Sequence, residues 1–441
     1  MRPYNVPRGN CGRGGRMCMG KALLLAVNIF CGLYGAYFAG VILLGALRRQ
    51  RPPYPAAAPS KRIAAVVAAR NEQAVIGGVV KTLLDQNYPR ELFDVWVIPN
   101  GCTDETESVA REAGACILPC DVPVRGKGDV LRFAFNELLE MGKYDAFCLF
   151  DADNVVDPGF LAASNNALCA GERVAQGFRD SKNSGESWVA GGMSMFYWFM
   201  SRLFNRGRAA LNMSAMLNGT GVLLSADFVR EADFQTRTLT EDLELTAQCG
   251  IMGVKIGWME DAVTYDEQPN SLMSSITQRR RWFAGGVQCM RHYGPALLKR
   301  AIRERCMQAL DFGIFFYGNL MQVLAFVPGV ASVVKTIQYA LSKGRISIAV
   351  AGLCGAAVLF VAGCTLGAAG LCTLVKRPIR RELPGILGLW LIAVSWVPAN
   401  LSALIVPPKW KAIPHVSRAG LPDIPRADKK PRTVPSRKAS M

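Results

Sequence analysis

The chain has 441 residues, room for a full-sized core and for membrane spans besides, and its 51 Lys and Arg outweigh 34 Asp and Glu to give a net charge of +17. Apolar residues make up 51% and charged ones only 19%, so the excess charge does not decorate a polar, soluble face of the kind a nucleic acid needs, and nucleic acid is excluded as a partner. The basic residues crowd instead beside apolar runs, in Arg48-Arg49-Gln50-Arg51, Lys376-Arg377 and Arg380-Arg381, where they suit anionic lipid headgroups.

In chain order, residues 1–20 are rich in Arg and Gly and are expected to be disordered. Residues 21–47 predict a transmembrane helix, because the apolar run Ala22 to Leu47 exceeds the roughly 7–15 residues of a signal-peptide core and is followed by stop-like charge. Residues 48–60 form a Pro-rich, stiff linker. A soluble domain is expected over 61–304. Its first run, Ile63 to Ala69, reads as a buried parallel strand. A helix to Leu84 follows, with Val75, Val79 and Leu83 on one face. Val95-Trp96-Val97-Ile98 and Phe147-Cys148-Leu149-Phe150 read as further strands, and strands alternating with helices predict a doubly wound α/β sheet whose ligand crevice lies at the carboxyl ends of the strands.

Residues 305–407 hold about three apolar segments long enough to cross a bilayer: Phe312 to Val334, Ile346 to Val375, and Gly385 to Val406, the last interrupted by Pro398. Residues 408–441 form a basic, Pro-rich tail expected to be largely disordered. The fourteen cysteines show no repeated spacing, and with only His292 and His415 in the chain a histidine-based zinc cluster is not expected. The pattern fits reduced, mostly buried thiols on a cytosolic face.

Three constellations carry chemistry. Asp151-Ala152-Asp153 ends a strand, so in extended geometry both carboxylates face one side and form a hard-cation site of the Mg2+ or Mn2+ type with positions open for diphosphate oxygens. Taken alone, such a pair is more often a loop of exposed acids. Thr238-Leu239-Thr240-Glu241-Asp242 opens a helix; read structurally it is a capping box with Thr238 as N-cap, and read chemically it fixes a carboxylate that can take a proton. The domain's single histidine, His292, lies near its far end, which makes Asp242 the candidate base. Gln278, Arg281 and Trp282, at i, i+3 and i+4, share a helix face that suits a nucleoside diphosphate and the sugar beside it, or equally a membrane interface. Lys127, in the basic loop Arg125-Gly126-Lys127-Gly128, is placed to touch a diphosphate, and Gly219, in Asn218-Gly219-Thr220-Gly221, to approach an acceptor.

In this order, and in a chain that then enters apolar segments, the motifs resemble a membrane-embedded, inverting family 2 glycosyltransferase of the GT-A type, similar to the cellulose, chitin, hyaluronan and poly-N-acetylglucosamine synthases. The resemblance covers about Lys61 to Glu304. It implies a Rossmann-like GT-A domain inserted between transmembrane helices, with Ala69, Asn71 and Glu72 of Val67-Ala68-Ala69-Arg70-Asn71-Glu72 touching the nucleotide. It further implies Asp151 beside the nucleotide and metal, Asp153 on the metal, Glu241 and Asp242 as the catalytic acids, Arg281 on the leaving nucleotide, and Gln278, Trp282 and Gly219 toward the acceptor. Where many relatives carry an Asp that binds uracil, this chain has Asn100, which accepts a hydrogen bond but lacks the charge.

The implied activity is transfer of a sugar from a nucleotide sugar, such as UDP-N-acetylglucosamine or UDP-glucose, to a growing glycan. Alternatives are a single transfer to a lipid or lipid-linked acceptor and a non-catalytic membrane scaffold. The expected setting is the cell membrane, multi-pass, with the catalytic domain cytosolic and with membrane partner subunits as further candidates. One span before the domain and three after it would put the basic tail outside, against the positive-inside tendency; a re-entrant segment or a hairpin would restore it.

Overall fold

The computed structural model describes residues 12–49, 52–408 and 420. Helix α1 (Gly12–Leu47) begins inside the N-terminal segment expected to be disordered; residues 1–11, and all of 409–441 except Gly420, lie outside the described residues. The linker before the domain is clasped to it: Tyr54 donates to Glu172 at 2.8 Å and the amide of Ala57 to Asn166 at 2.9 Å.

The domain alternates strands and helices as the pattern requires: β1 (Ile63–Ala69), α2 (Ile76–Leu84), β2 (Phe93–Pro99), α3 (Thr106–Glu112), β3 (Cys116–Ile117), α4 (Lys127–Glu140), β4 (Ala146–Asp151), β5 (Val155–Val156), α5 (Phe160–Cys169) and β6 (Val174–Ser181). Then come α6 (Trp188–Trp198), continued by a π-helical turn over Phe199–Asn205 into α7 (Arg206–Ala210), β7 (Val222–Ser225), α8 (Ala226–Ala232), α9 (Glu241–Met252), β8 (Ile256–Asp266) and the long α10 (Leu272–Arg303). All eight strands form one sheet in the order β3-β2-β1-β4-β7-β6-β8-β5. The β3-β2-β1-β4 half is parallel, β7 is antiparallel to both neighbours, and β6 and β8 are parallel.

Both faces of β1 are covered, which is why its sequence is apolar without alternation. Ile63, Ala65 and Val67 pack with Val79, Leu83 and Phe150 on one face, while Ala64 and Val66 pack with Leu131, Phe135 and Phe147 on the other. Each fully buried Phe in these layers contributes roughly 1.5–3 kcal/mol of apolar transfer.

After the domain come α11 (Met307–Phe316), α12 (Gly318–Ser342), α13 (Ile346–Leu374) and α14 (Ile379–Ile405). The apolar run expected to span from Phe312 is therefore broken at Tyr317, and its first turns belong to α11, which is pinned to the domain. There Arg208 of α7, fully buried, pairs with Asp311, and Tyr37 of α1 donates to the same carboxylate at 2.6 Å. Pro398 does not end its helix, which also runs through Pro384. Among the described residues four helices are long and apolar enough to cross a membrane, over Ala22–Leu47, Gly318–Ser342, Ile346–Leu374 and Ile379–Ile405.

Candidate active site

The carboxyl ends of β1, β2 and β4 open onto a cavity of about 570 Å³. The end of β1 and the loop after it contribute Ala69, Arg70 and Glu72 to its wall, and the loop after β2 contributes Asn100. Asn100 is held by its amide N–H to the carbonyl of Ala69 at 3.0 Å, and its side-chain NH2 is spent on the carbonyl of Cys120 at 3.0 Å. Its Oδ1 remains an acceptor on the wall of the cavity. Asn71 does not line the cavity; in a left-handed conformation (φ 58°), it bonds Thr103 through both side-chain atoms and ties the β1 and β2 loops together.

The two aspartates at the end of β4 both line the cavity but have different partners. The chain leaves extended geometry after Asp151, which is the last residue of the strand. Lys127, at the start of α4, reaches its carboxylate at 2.5 Å, the carbonyl of Gly219 at 3.0 Å and the carboxylate of Glu241 at 3.3 Å. Burial pulls the Lys127 ammonium down, but these carboxylates outweigh it and hold it above the usual lysine range. Asp153, buried, accepts from the amide of Glu267 at 2.8 Å and from Asn154 at 3.3 Å, and has no cationic partner among the described residues.

Helix α9 begins at Glu241, not at the capping box expected from Thr238. The physical reason is Glu244, whose carboxylate accepts the amides of Arg237 at 2.8 Å and Thr238 at 2.9 Å and keeps both outside the helix. Asp242 therefore sits in the first turn with a fixed backbone. Gly219 lies across from it in the left-handed region (φ 86°), and a side chain there would start 3.4 Å from Asp242 Oδ2. Burial and the neighbouring Glu241 raise the Asp242 carboxyl to about 6, the range in which a carboxylate works as a general base near neutral pH.

Sequence reasoning missed a second charged pair. Arg179 of β6 donates through its Nε to Asp266 of β8 at 2.7 Å, lies 3.9 Å from the centroid of the Tyr197 ring and also donates to the carbonyl of Asn218. Burial, opposed by Arg179 and aided by the charge of Asp153, raises Asp266 to about 6. The available signal was a strand, Val174–Ser181, whose apolar start gives way to Arg179 and Asp180 at its carboxyl end.

The far wall comes from α10. Gln278, Arg281 and Trp282 line the cavity as the i, i+3, i+4 spacing predicts. Gln278 Oε1 and Arg281 Nε are buried without a hydrogen-bond partner among the described residues. Trp282 stacks on Phe196 at 5.9 Å and meets Tyr197 edge-on at 5.9 Å. Arg279, unremarked in the sequence reading, is the buried arginine of the run: it donates to the carbonyl of Ile392 at 3.2 Å and Ser395 at 3.0 Å, beneath Trp396. The cavity then continues to Tyr34 of α1, Asn319 and Gln322 of α12, and Trp396 of α14.

An α/β sheet with an aspartate pair at a strand end, a helix-borne acid opposite and a Gln-Arg-Trp face closing the cavity defines a Rossmann-like GT-A transferase domain. Residues 59–285 match the model of the family described as glycosyltransferase like family 2, so the chain belongs to glycosyltransferase family 2. The beta-monoglucosyldiacylglycerol synthase of Synechocystis sp. is 27% identical over 248 residues, covering 54% of this chain and 49% of that protein. Cellulose synthase 2 of Novacetimonas hansenii is 24% identical over 245 residues, 51% of this chain but 14% of that protein. The chain spans about half the length of the diacylglycerol-type relatives it matches. A solved mannosyltransferase from Pyrobaculum calidifontis, in complex with GDP-Man and Mn2+, superposes with a TM-score of 0.56 at 16% identity, over 85% of this chain and 99% of that one. At that identity the likeness is one of fold.

Proposed function

We propose that the protein transfers a single sugar, with inversion, from a nucleoside diphosphate sugar to a hydroxyl of a lipid or lipid-linked acceptor at the membrane face. The observation that carries this reading is the continuity of one cavity from Asn100, Asp151 and Asp153 to Tyr34, Gln322 and Trp396, side chains of helices apolar enough to lie in a bilayer. An acceptor held in the membrane can present its headgroup there without leaving the lipid. The diacylglycerol relatives support the same acceptor class, and the thin match to cellulose synthase lends the polysaccharide expectation less support.

In this mechanism Asp242 takes the proton of the acceptor hydroxyl as its oxygen attacks the anomeric carbon, and the bond from that carbon to the diphosphate breaks. Asn100 Oδ1 faces the base, Lys127 and Arg281 offset the charge gathering on the departing diphosphate, and Trp282 walls the acceptor side. The Arg179–Asp266 pair fixes the strand ends beneath the sugar. The donor set fits a divalent cation: Asp153 carries no cationic partner among the described residues, and its charge already helps push Asp266 up. No group of three or more His, Cys, Asp or Glu is gathered among the described residues, so Asp153 would hold Mg2+ or Mn2+ together with diphosphate oxygens and water, as hard cations are held at nucleotide sites. When bound, such an ion supplies neutralisation of the leaving diphosphate. The catalytic domain is placed in the cytosol, where nucleotide sugars are made.

The test is transfer by purified protein in vesicles offered a panel of UDP- and GDP-sugars with Mg2+ or Mn2+, followed by organic extraction. Label in a lipid carrying one sugar is the expected result. Label in an insoluble polymer would restore the polysaccharide reading, and silence from every donor would remove the transferase reading.

A further inference from the structure

The four apolar helices are not held alike. In α13 no part of the most apolar window is buried, in α12 6% and in α1 11%, whereas in α14 the share is 33%. The buried residues of α14 run from Glu382 to Ala403, and contacts with the catalytic domain recur from one end of the helix to the other. At its start, Glu382 accepts from Ser184 at 2.9 Å, and Arg377 just before it pairs with Asp180 at 2.7 Å. One to three turns on, Gly385 lies against the backbone of Gly191, and Gly388 and Ile392 pack on Trp188 and Gly192 of α6. Further on, Ile392 and Ser395 receive Arg279, and Trp396 lines the catalytic cavity. At the end the carbonyl of Val406 accepts from Arg280 at 2.9 Å.

From Glu382 to Val406 a helix extends about 36 Å at 1.5 Å per residue, more than the roughly 30 Å hydrocarbon core of a bilayer. A helix crossing that core would carry one end away from a domain that sits on one side of it. Instead both ends, and the turns between, touch domain elements. Its neighbours agree: Ile386 packs against Leu371 and Cys372 at the last turns of α13, and Asn400 donates to Gln322 in the first turns of α12 at 2.7 Å. The helix thus runs from the foot of one arm of the α12–α13 hairpin to the foot of the other. After Arg380 and Arg381, which are exposed at its start, its outward side chains, including Leu383, Leu387, Leu391, Val394 and Leu404, are apolar.

We infer that α14 does not cross the membrane but lies in its surface plane, a floor between the catalytic cavity and the bilayer, with its apolar stripe set into the lipid. The inference rests on the reading of α1, α12 and α13 as spans. It makes the number of crossings after the domain two, so residues 408–441, with nine Lys and Arg against two Asp and Glu, stay on the domain's side, as the positive-inside tendency asks.

The test uses the full chain in sealed vesicles with an impermeant maleimide and peptide-resolved mass spectrometry, in variants that retain nucleotide release. The tail peptide of Ser436→Cys should react from the same face as the exposed native Cys116 and Cys169, and Ser342→Cys, at the α12–α13 turn, from the opposite face. Nitroxides on Leu383→Cys, Leu391→Cys and Leu404→Cys should all report the same shallow depth, about 5–10 Å into the headgroup boundary. Tail labelling from the face opposite Cys116 overturns the inference, as does a Leu391 nitroxide near the bilayer centre, about 15 Å deep, between two shallow ones. A carbonate wash decides the underlying reading separately: protein released from the vesicles has no spans at all, and both readings fall.

Discussion

The two ends of the cavity are assembled by different means. The end proposed for the donor is built on strand ends: Ala69, Arg70 and Glu72 at and just after the end of β1, Asn100 after β2, and Asp151 to Asp153 at the end of β4. The end proposed for the acceptor draws Tyr34, Gly219, Asp242, Trp282, Gln322 and Trp396 from six separate elements, three of them helices outside the α/β domain. The donor end can therefore keep its shape on the sheet alone, whereas the acceptor end depends on how the apolar helices are docked. Damage at the two ends should separate in the kinetics.

The largest separation is expected from Asp242→Asn. Transfer should fall by about 10²–10⁴, the worth of a positioned general base, while binding of the intact donor, followed by fluorescence or calorimetry, is retained; equal loss of both would erase the distinction. Removal of divalent cation with a chelator should act on the donor end, abolishing donor binding and turnover together, with recovery on adding back Mn2+. Next, Lys127→Ala should lower kcat by about 10²–10³, as for loss of one electrostatic donor at a developing charge. The wild-type rate should rise with pH through about 6, where the buried Asp242 gives up its proton, and then level off. Because Lys127 lowers that value, its removal should shift the acid limb of the profile upward. Arg208→Ala should leave Asp311 buried without its cation, costing about 3–5 kcal/mol of stability in a thermal melt, with the larger kinetic damage at the acceptor end. The smallest effect is expected from Trp396→Ala: an increase in acceptor KM of up to about tenfold, the worth of an aromatic contact of about 1 kcal/mol, with donor KM unchanged.

The same division explains what the sequence disclosed. Strand ends are legible because an apolar run bounded by charge fixes both the strand and the loop after it, which is why Asp151 to Asp153 and Asn100 fall where expected. Helical spacing likewise places Gln278, Arg281 and Trp282 on one wall. Contacts made across long intervals leave no local trace. Arg179 and Asp266 are 87 residues apart, Lys127 meets Asp151 across 24, and Arg279 is buried by a helix more than 100 residues on. Hydropathy also reads Phe312 to Val334 as one segment, since it cannot register that Asp311 is tethered by Arg208 and so holds α11 to the domain. The start of α9 was misplaced for a similar reason: the residue that decides it, Glu244, lies inside the helix and reaches back.

The contact between α1 and α7 has a practical corollary. Gly45 meets the backbone of Gly207 with no space for a side chain at Gly45, and about two turns earlier Tyr37 completes the shell around Asp311. The first helix is thus a structural wall of the cavity. Trimming the protein so that it begins at residue 61 would strip Asp311 of one hydrogen-bond donor, uncover the glycine seam and remove Tyr34 from the cavity rim. Such a piece should be judged as a damaged enzyme, and any inactivity it shows should be charged to the cut.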